Sequence, residues 1–199
     1  MASRWRKTRK TFRHGNLAES LIAAALVRLE SDGVELLSLR ELAQDAGVNH
    51  RAVYRHFPDK LSLLARVAEE GWRRMGGRIE QQLVGNAKGE QALVAAGIGF
   101  FLFARDHPHL FALMAGSRIN EQGAFPGLEA ALTATMTRFQ QPFVDSGIEL
   151  ERARVRTAVF VSALQGVTTQ ILHRRLHVSR AKANDFVAQI CRMFFKGLR

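Results

Sequence analysis

Three observations predict an all-α fold. Apolar residues recur every three or four positions through most of the chain, the spacing of one helix face. Capping residues, glycines and prolines cut these runs into helix-sized pieces. From Glu90 onward no strand-like alternation of apolar and polar residues appears. The pieces group into a basic arm (1–14), a three-helix body containing a helix-turn-helix pattern (15–59), and a larger helical body (60–199) entered through a connecting helix.

Residues 1–14 hold six Arg or Lys and no acid. Such an arm either adds salt-sensitive affinity for DNA through counterion release or is a solvated tail. The first helix is expected from Asn16 to about Ser31. Asn16 with Glu19 resembles a capping box, and Leu21, Ile22, Ala25, Leu26 and Leu29 form one apolar face. Asp32-Gly33 ends it, with Val34 expected as a buried plug in the connection.

Ser38 to Lys60, SLRELAQDAGVNHRAVYRHFPDK, organises the rest. Ser38 and Glu41 make a capping box, with Leu37 and Leu42 as a staple, for a helix to about Ala46. Gly47 suits the left-handed turn that follows. Asn49 caps a second helix, His50 to about Phe57, which Pro58 ends. Asp59 caps a third, starting at Lys60. Leu39, Leu42, Val48, Val53 and Phe57 are the apolar positions, and Ala43 is small where two helices cross. His50, Arg51, Tyr54 and Arg55 are left facing outward. Two short helices about a tight turn, the second charged and aromatic, are the pattern that places a helix in a DNA groove.

The run AALVRLESDGVELLSLRELAQDAGVNHRAVYRHFPDKLSLL, within Leu17 to Trp72, resembles the DNA-binding region of the TetR family of transcriptional regulators. It departs from the family pattern at Arg51, where a small residue is usual, which leaves the target sequence open. Within the motif, residues near the start of the recognition helix reach base edges. Arg51 is the first choice for a guanine contact, because its fork matches O6 and N7. His50 and Arg40 come next. Tyr54, Arg55 and Lys60 suit phosphates, as do Ser38, Leu39 and Asn49 at the helix starts. His56 completes the DNA-facing set, although with Phe57 it also reads as packing at the junction.

The connecting helix is expected from Lys60 to about Val84, softened at Gly76-Gly77. GNAKG (85–89) is a turn. Further helices are expected over 90–106, from Pro108, over 128–145 with a bend at Pro142, over 149–176, and over 179–196; 116–127 is an irregular loop. The run FARDHPHLFALM resembles a TetR-family subgroup in its ligand domain. Phe100, Phe103, Phe111, Met114, Met136, Phe139 and Phe160 have the chemistry of a small-molecule pocket, and equally of a helical core. Gln165, Thr168 and Thr169 are polar positions able to orient a ligand. The resemblance implies an effector site in this body. It also implies a homodimer formed by the last two helices, with Gly166 at a close crossing.

Hydrophobic residues make up 47% of the 199, enough for a sizeable core, and the formal net charge is +11. The charge suits nucleic acid or an acidic membrane surface. No secretory signal and no long apolar span is present, so a cytoplasmic protein is expected. The single cysteine, Cys191, lies among apolar residues and reads as an inert buried thiol. His173 and His177, spaced i and i+4, with His107 and His109, lack accompanying carboxylates or thiols, so no metal is expected. No phosphate loop, nucleophile elbow or zincin motif appears, so neither catalytic residues nor a cofactor are expected.

The expected partners are therefore double-stranded DNA, a second copy of the chain, and a small apolar or amphipathic effector, with no membrane. A repressor released by its effector heads the readings, with an activator of the same family beside it. A sequence-indifferent DNA-packaging protein is the rival class, and an enzyme using the apolar pocket a more distant one.

Overall fold

The computed structural model describes residues 17–116, 119 and 123–197. The basic arm and the Asn16 cap lie outside them. All regular structure among the described residues is α-helical, and no helix there is long and apolar enough to cross a membrane. The chain forms two compact units that divide after Leu63.

In the first unit, α1 (Leu17–Asp32), α2 (Leu39–Ala46) and α3 (His50–His56) pack pairwise, and the first turn of α4 (Lys60–Glu80) closes the unit. The core is aliphatic: Leu21, Leu26 and Leu29 from α1, Leu39 and Leu42 from α2, Val53 from α3, with Leu37 and Phe57 at the connections. Val34, expected as the plug, is only half-buried, and Leu37 fills that place at 1% exposure. Val34 acts instead through its backbone carbonyl, described below.

The local chemistry of this unit follows from its caps. Ser38 Oγ accepts from the Glu41 amide at 3.2 Å and donates to the Glu41 carboxylate at 3.1 Å. Gly47 takes φ +64°, a left-handed conformation that lets the Val48 amide reach back to the Ala43 carbonyl at 3.0 Å. Asn49 Oδ1 accepts from the Arg51 amide at 2.9 Å. Asp59 Oδ1 accepts from the Ser62 amide at 2.7 Å and the Ser62 hydroxyl at 2.6 Å, starting α4. Arg28 bridges α1 to α2, 2.5 Å from Asp45 and 3.1 Å from Glu41. The Asp45 hydrogen bond raises its already high pKa.

In the second unit, α5 (Gly89–Asp106) is the hub. It packs against α9 (Ala183–Gly197), α7 (Pro126–Val144), α6 (Pro108–Met114) and α8 (Leu150–Leu172). Two close approaches set its position. A Cβ on Gly99 would stand 2.7 Å from the Ile79 Cα of α4, so only glycine lets the two backbones meet. Gly97 faces the Cys191 sulfur on α9, where a Cβ would collide. Phe100, Phe101, Phe139, Phe143 and Phe160 fill the interior at 1% exposure or less.

Several expected ends move. α4 stops at Glu80, where the Gln82 and Leu83 amides turn to the Ile79 and Glu80 carbonyls in tighter three-residue closures. It runs unbroken through Gly76-Gly77, and Gly76 lies against the Arg138 guanidinium. α8 stops at Leu172, and Arg174 takes φ +56° just beyond it. His173 and His177 consequently do not share a helix turn, which removes the spacing argument for a metal pair. α9 begins at Ala183, four residues later than expected, and α7 begins at Pro126, with Pro at its first turn.

Candidate functional site

The first candidate site is the outer face of α2 and α3. Val53 at 0% and Phe57 at 3% exposure anchor α3 to the core. That leaves His50, Arg51, Tyr54, Arg55 and His56 exposed on its other faces, and Arg40 and Asn49 exposed beside them. The His50 and Tyr54 rings lie 4.5 Å apart, tilted by 58°, so they brace one another one turn apart. Asn49 presents the start of α3, with its side chain satisfying one amide. The arrangement offers two guanidiniums, a phenol and two imidazoles on one short helix, with no acidic residue in it.

Two expected members of this set, Leu39 and Lys60, are placed differently, and His56 loses only its alternative reading as junction packing. The Leu39 side chain is buried at 5% exposure, so only its backbone at the start of α2 faces outward chemistry. His56 is exposed and does not pack at the junction; Phe57 alone does so. Lys60 is half-buried, and its ammonium donates to the Val34 carbonyl at 2.8 Å and the Glu35 carbonyl at 3.3 Å. It ties the α1–α2 connection to the first turn of α4, so its charge is engaged inside the unit. The sequence shows no sign of this, because the partners are backbone groups some 25 residues away.

The second candidate site lies inside the second unit. A cavity of about 230 Å³ is lined by Trp72, Phe100, Phe111, Met114, Ala115, Leu132, Met136, Val161 and Gln165. Phe100 meets Phe111 edge-on, with ring centres 5.4 Å apart. Among the described residues, none that lines it is charged. Of the expected pocket residues, Phe100, Phe111, Met114, Met136 and Gln165 are brought together here. Phe139 and Phe160 are fully buried core, their ring centres 6.0 Å apart, and Thr169 is not among the lining. Phe103 faces a different, more open hollow of about 390 Å³ with Arg74, Arg78, Gln81, Asp106 and His107. That hollow is larger, but its cations are already paired, Arg78 with Asp106 at 3.3 Å and Arg74 with Glu70 at 2.9 Å. The smaller apolar cavity is therefore the better ligand site. Trp72, Ala115, Leu132 and Val161 line the cavity without having been expected there; Trp72 was missed because it continues the apolar stripe of the connecting helix. Its polar N–H in an otherwise apolar stripe was the available signal.

Cys191 is fully buried, and burial pushes its thiol pKa up to about 12, which leaves it a poor nucleophile in the folded state.

A basic, exposed α3 after a tight turn in a three-helix body, carried on the same chain as a larger helical body, is the arrangement of a helix-turn-helix DNA-binding protein. Comparison with known proteins agrees. The model for bacterial regulatory proteins of the tetR family matches residues 21–67, and a tetracyclin repressor-like C-terminal domain matches residues 93–194. The chain belongs to the TetR family of DNA-binding transcriptional regulators. It is similar over nearly its whole length to a protein of unknown function from Rhodococcus sp. RHA1, with 30% identity and a TM-score of 0.77, covering 94% of this chain and 98% of that one. The fold is shared with a single-substitution variant of TetR from Acinetobacter baumannii AYE in complex with minocycline, at 19% identity and a TM-score of 0.66, covering 89% and 93%. It is shared also with BioQ bound to its natural double-stranded DNA operator, at 18% identity and a TM-score of 0.68, covering 91% and 96%.

Proposed function

We propose that this regulator is a homodimeric repressor, cytoplasmic in location, that binds a palindromic operator and is released from it by a small apolar or amphipathic effector. The observation that carries the reading is the presence on one chain of an exposed, acid-free α3 and a mainly apolar cavity with no charged lining residue among those described. In this reading Arg51 reads a guanine, and His50 and Arg40 reach neighbouring base edges. Tyr54, Arg55 and His56 hold phosphates, with the helix starts at Ser38, Leu39 and Asn49 offering backbone amides. The arm 1–14 adds salt-dependent affinity.

The dimer reading is supported by an outward stripe on α8, where Val155, Val159, Ser162 and Gly166 are exposed at helical spacing. Val155 is 65% and Val159 48% exposed, and among the described residues beyond its own helical turn nothing stands within 4 Å of a Cβ on Gly166. Met193 on α9 is 65% exposed. A second copy would cover these groups, and two recognition helices about 34–36 Å apart would then match successive turns of a palindrome. The effector acts by binding one of two dimer states more tightly, which shifts the population away from the operator-competent spacing.

The test is an anisotropy titration at fixed salt with a duplex selected from a random library and a shuffled control. The expected preference for the selected palindrome is about 10³-fold or more. Equal affinity for both duplexes would favour a packaging protein instead. Transcription from a promoter carrying that palindrome should fall when the protein is added; a rise would make it an activator.

A further inference from the structure

The loop 173–182, HRRLHVSRAK, joins α8 to α9 and carries four Arg or Lys, two His and no Asp or Glu. Every residue in it except Val178 is exposed. Among the described residues, no carboxylate forms an ion pair with any of its cations. Acids elsewhere in the second unit are already engaged: Glu69 and Glu70 with Arg73, Glu80 with Arg138, Asp106 with Arg78, and Glu90 with Arg192. The charge of the loop is therefore left for an anion from outside the chain.

The local fold does not account for these cations. The Arg174 amide donates to the Ile171 carbonyl at 3.0 Å and the Arg175 amide to the Gln170 carbonyl at 2.9 Å, a Schellman closure of α8. Its left-handed position, where glycine is favoured, holds Arg174 at φ +56°. A charged side chain is thus kept at a backbone position that strains any residue with a Cβ. The negative end of the α8 dipole favours Arg174 and Arg175, but Arg180 and Lys182 stand just before the start of α9, where positive charge opposes the dipole. The first unit supplies the complementary observation. Residues 17–63 hold five Arg or Lys against seven Asp or Glu, so the body that carries α3 has no net positive charge to draw a polyanion. The loop has no aromatic residue on which a base could stack, and Leu176, 37% exposed, is its one large exposed apolar side chain. That chemistry fits a phosphodiester backbone better than base reading or insertion into a membrane.

We propose that the loop 173–182 is a second, sequence-independent nucleic-acid contact in which Arg174, Arg175, Arg180 and Lys182 hold backbone phosphates. The proposal needs only that the first unit bind a duplex, which brings phosphate to the loop at high local concentration. The phosphates belong either to the flanks of that duplex or to a second one.

The test compares two full-length variants that remove equal charge. One is Arg175→Gln/Arg180→Gln/Lys182→Gln, which leaves Arg174 and the end of α8 as they are. The other is Lys88→Gln/Arg105→Gln/Lys196→Gln, elsewhere in the same unit. Affinity is measured across a salt series for a long duplex of random sequence, and for a selected operator with and without random flanks. The loop variant should make the slope of log K against log salt on the long duplex shallower by about 1–3. Its preference for operator over random sequence at equal length should stay at the wild-type value, because phosphates carry no sequence. Its unfolding midpoint should not move, and the charge-matched variant should keep the wild-type slope. A loop effect that requires the flanks assigns the phosphates to the bound duplex. Loop-dependent capture of a second, differently labelled duplex assigns them to another molecule, and either result supports the proposal. Equal slopes in wild type and loop variant, or the same decrease in both variants, would overturn it. So would loop-dependent binding to phosphatidylglycerol vesicles with an unchanged DNA slope, which would make the loop a membrane contact. Absence of operator preference in the wild type would sink the operator reading alone, since the random duplex still tests the loop.

Discussion

In residues 17–63 the candidate contact groups, Arg40, His50, Arg51, Tyr54 and Arg55, all face solvent, and the interior behind them is aliphatic apart from Phe57. In residues 64–199 the candidate ligand groups, Trp72, Phe100, Phe111, Met114 and Gln165, face inward, and they share one interior with a core of the same chemistry. The first unit separates what holds it together from what it offers a partner. In the second, the same residue types do both, and only position tells Phe111 from Phe139. The two units should therefore respond to substitution in opposite ways. Changes at the first site should alter binding and spare stability, whereas changes in the aromatic interior of the second should alter stability first.

The largest expected effect tests the second half of that contrast. Phe139→Ala should cost about 3–5 kcal/mol in denaturant unfolding, the range for truncating a buried Phe. A small loss would mean that Phe139 borders open space and belongs with the cavity after all. Next comes Arg51→Ala, which should cost about 1–3 kcal/mol in operator affinity and relax selectivity at one base pair. Its unfolding midpoint should not move, since the side chain is exposed. An affinity loss that is uniform across sequences would reassign Arg51 to phosphate.

Lys60→Met sharpens the boundary between the two roles. Losing the hydrogen bonds to the Val34 and Glu35 carbonyls should cost about 1–2 kcal/mol of stability. The salt slope of DNA binding should stay as it is, while Arg55→Ala should make that slope shallower by about 1. A shallower slope in Lys60→Met would return the ammonium to the DNA-facing set.

The smallest effect concerns Asp59. Its hydrogen bonds from the Ser62 hydroxyl and amide hold its pKa below the ordinary 3.8. The unfolded chain thus binds the proton more readily than the folded one. The resulting stabilisation is present above pH 3.8 and is lost as pH falls through the lower folded value. Melting temperatures of the parent and Asp59→Asn should therefore converge as the buffer is taken from about pH 6 toward about pH 2. A constant gap would show that the carboxylate contributes nothing by its charge.

Local rules made most of the first unit readable from its residues. Leu21, Ile22, Ala25, Leu26 and Leu29 declare the buried face of α1 by spacing alone, and Ser38, Gly47 and Asn49 declare where α2 and α3 start and stop. Each of those signals spans a few residues. The ties that join elements are not local, so Lys60 to Val34 and Arg28 to Asp45 left no mark in the sequence. In the second unit helix positions were legible, but the ends of α4 and α8 drifted, because apolar residues such as Leu83, Val84 and Leu176 continue the periodicity past the last helical turn. The division of the Phe residues between core and cavity was not legible, since a side chain's type does not say which neighbour it lacks. The glycines of α5 were visible as residues, but not as the places where other backbones and a sulfur press in.

That last contact has a practical consequence. Cys191 is the only cysteine in the chain, and it sits sealed against Gly97 in the packing of α5 on α9. A thiol reagent can reach it only when those two helices part. Each labelled molecule then records one opening, so the rate of modification in native buffer is a clock for how often the middle of the second unit breathes. Any compound that slows this clock has, by that fact alone, stabilised the closed form.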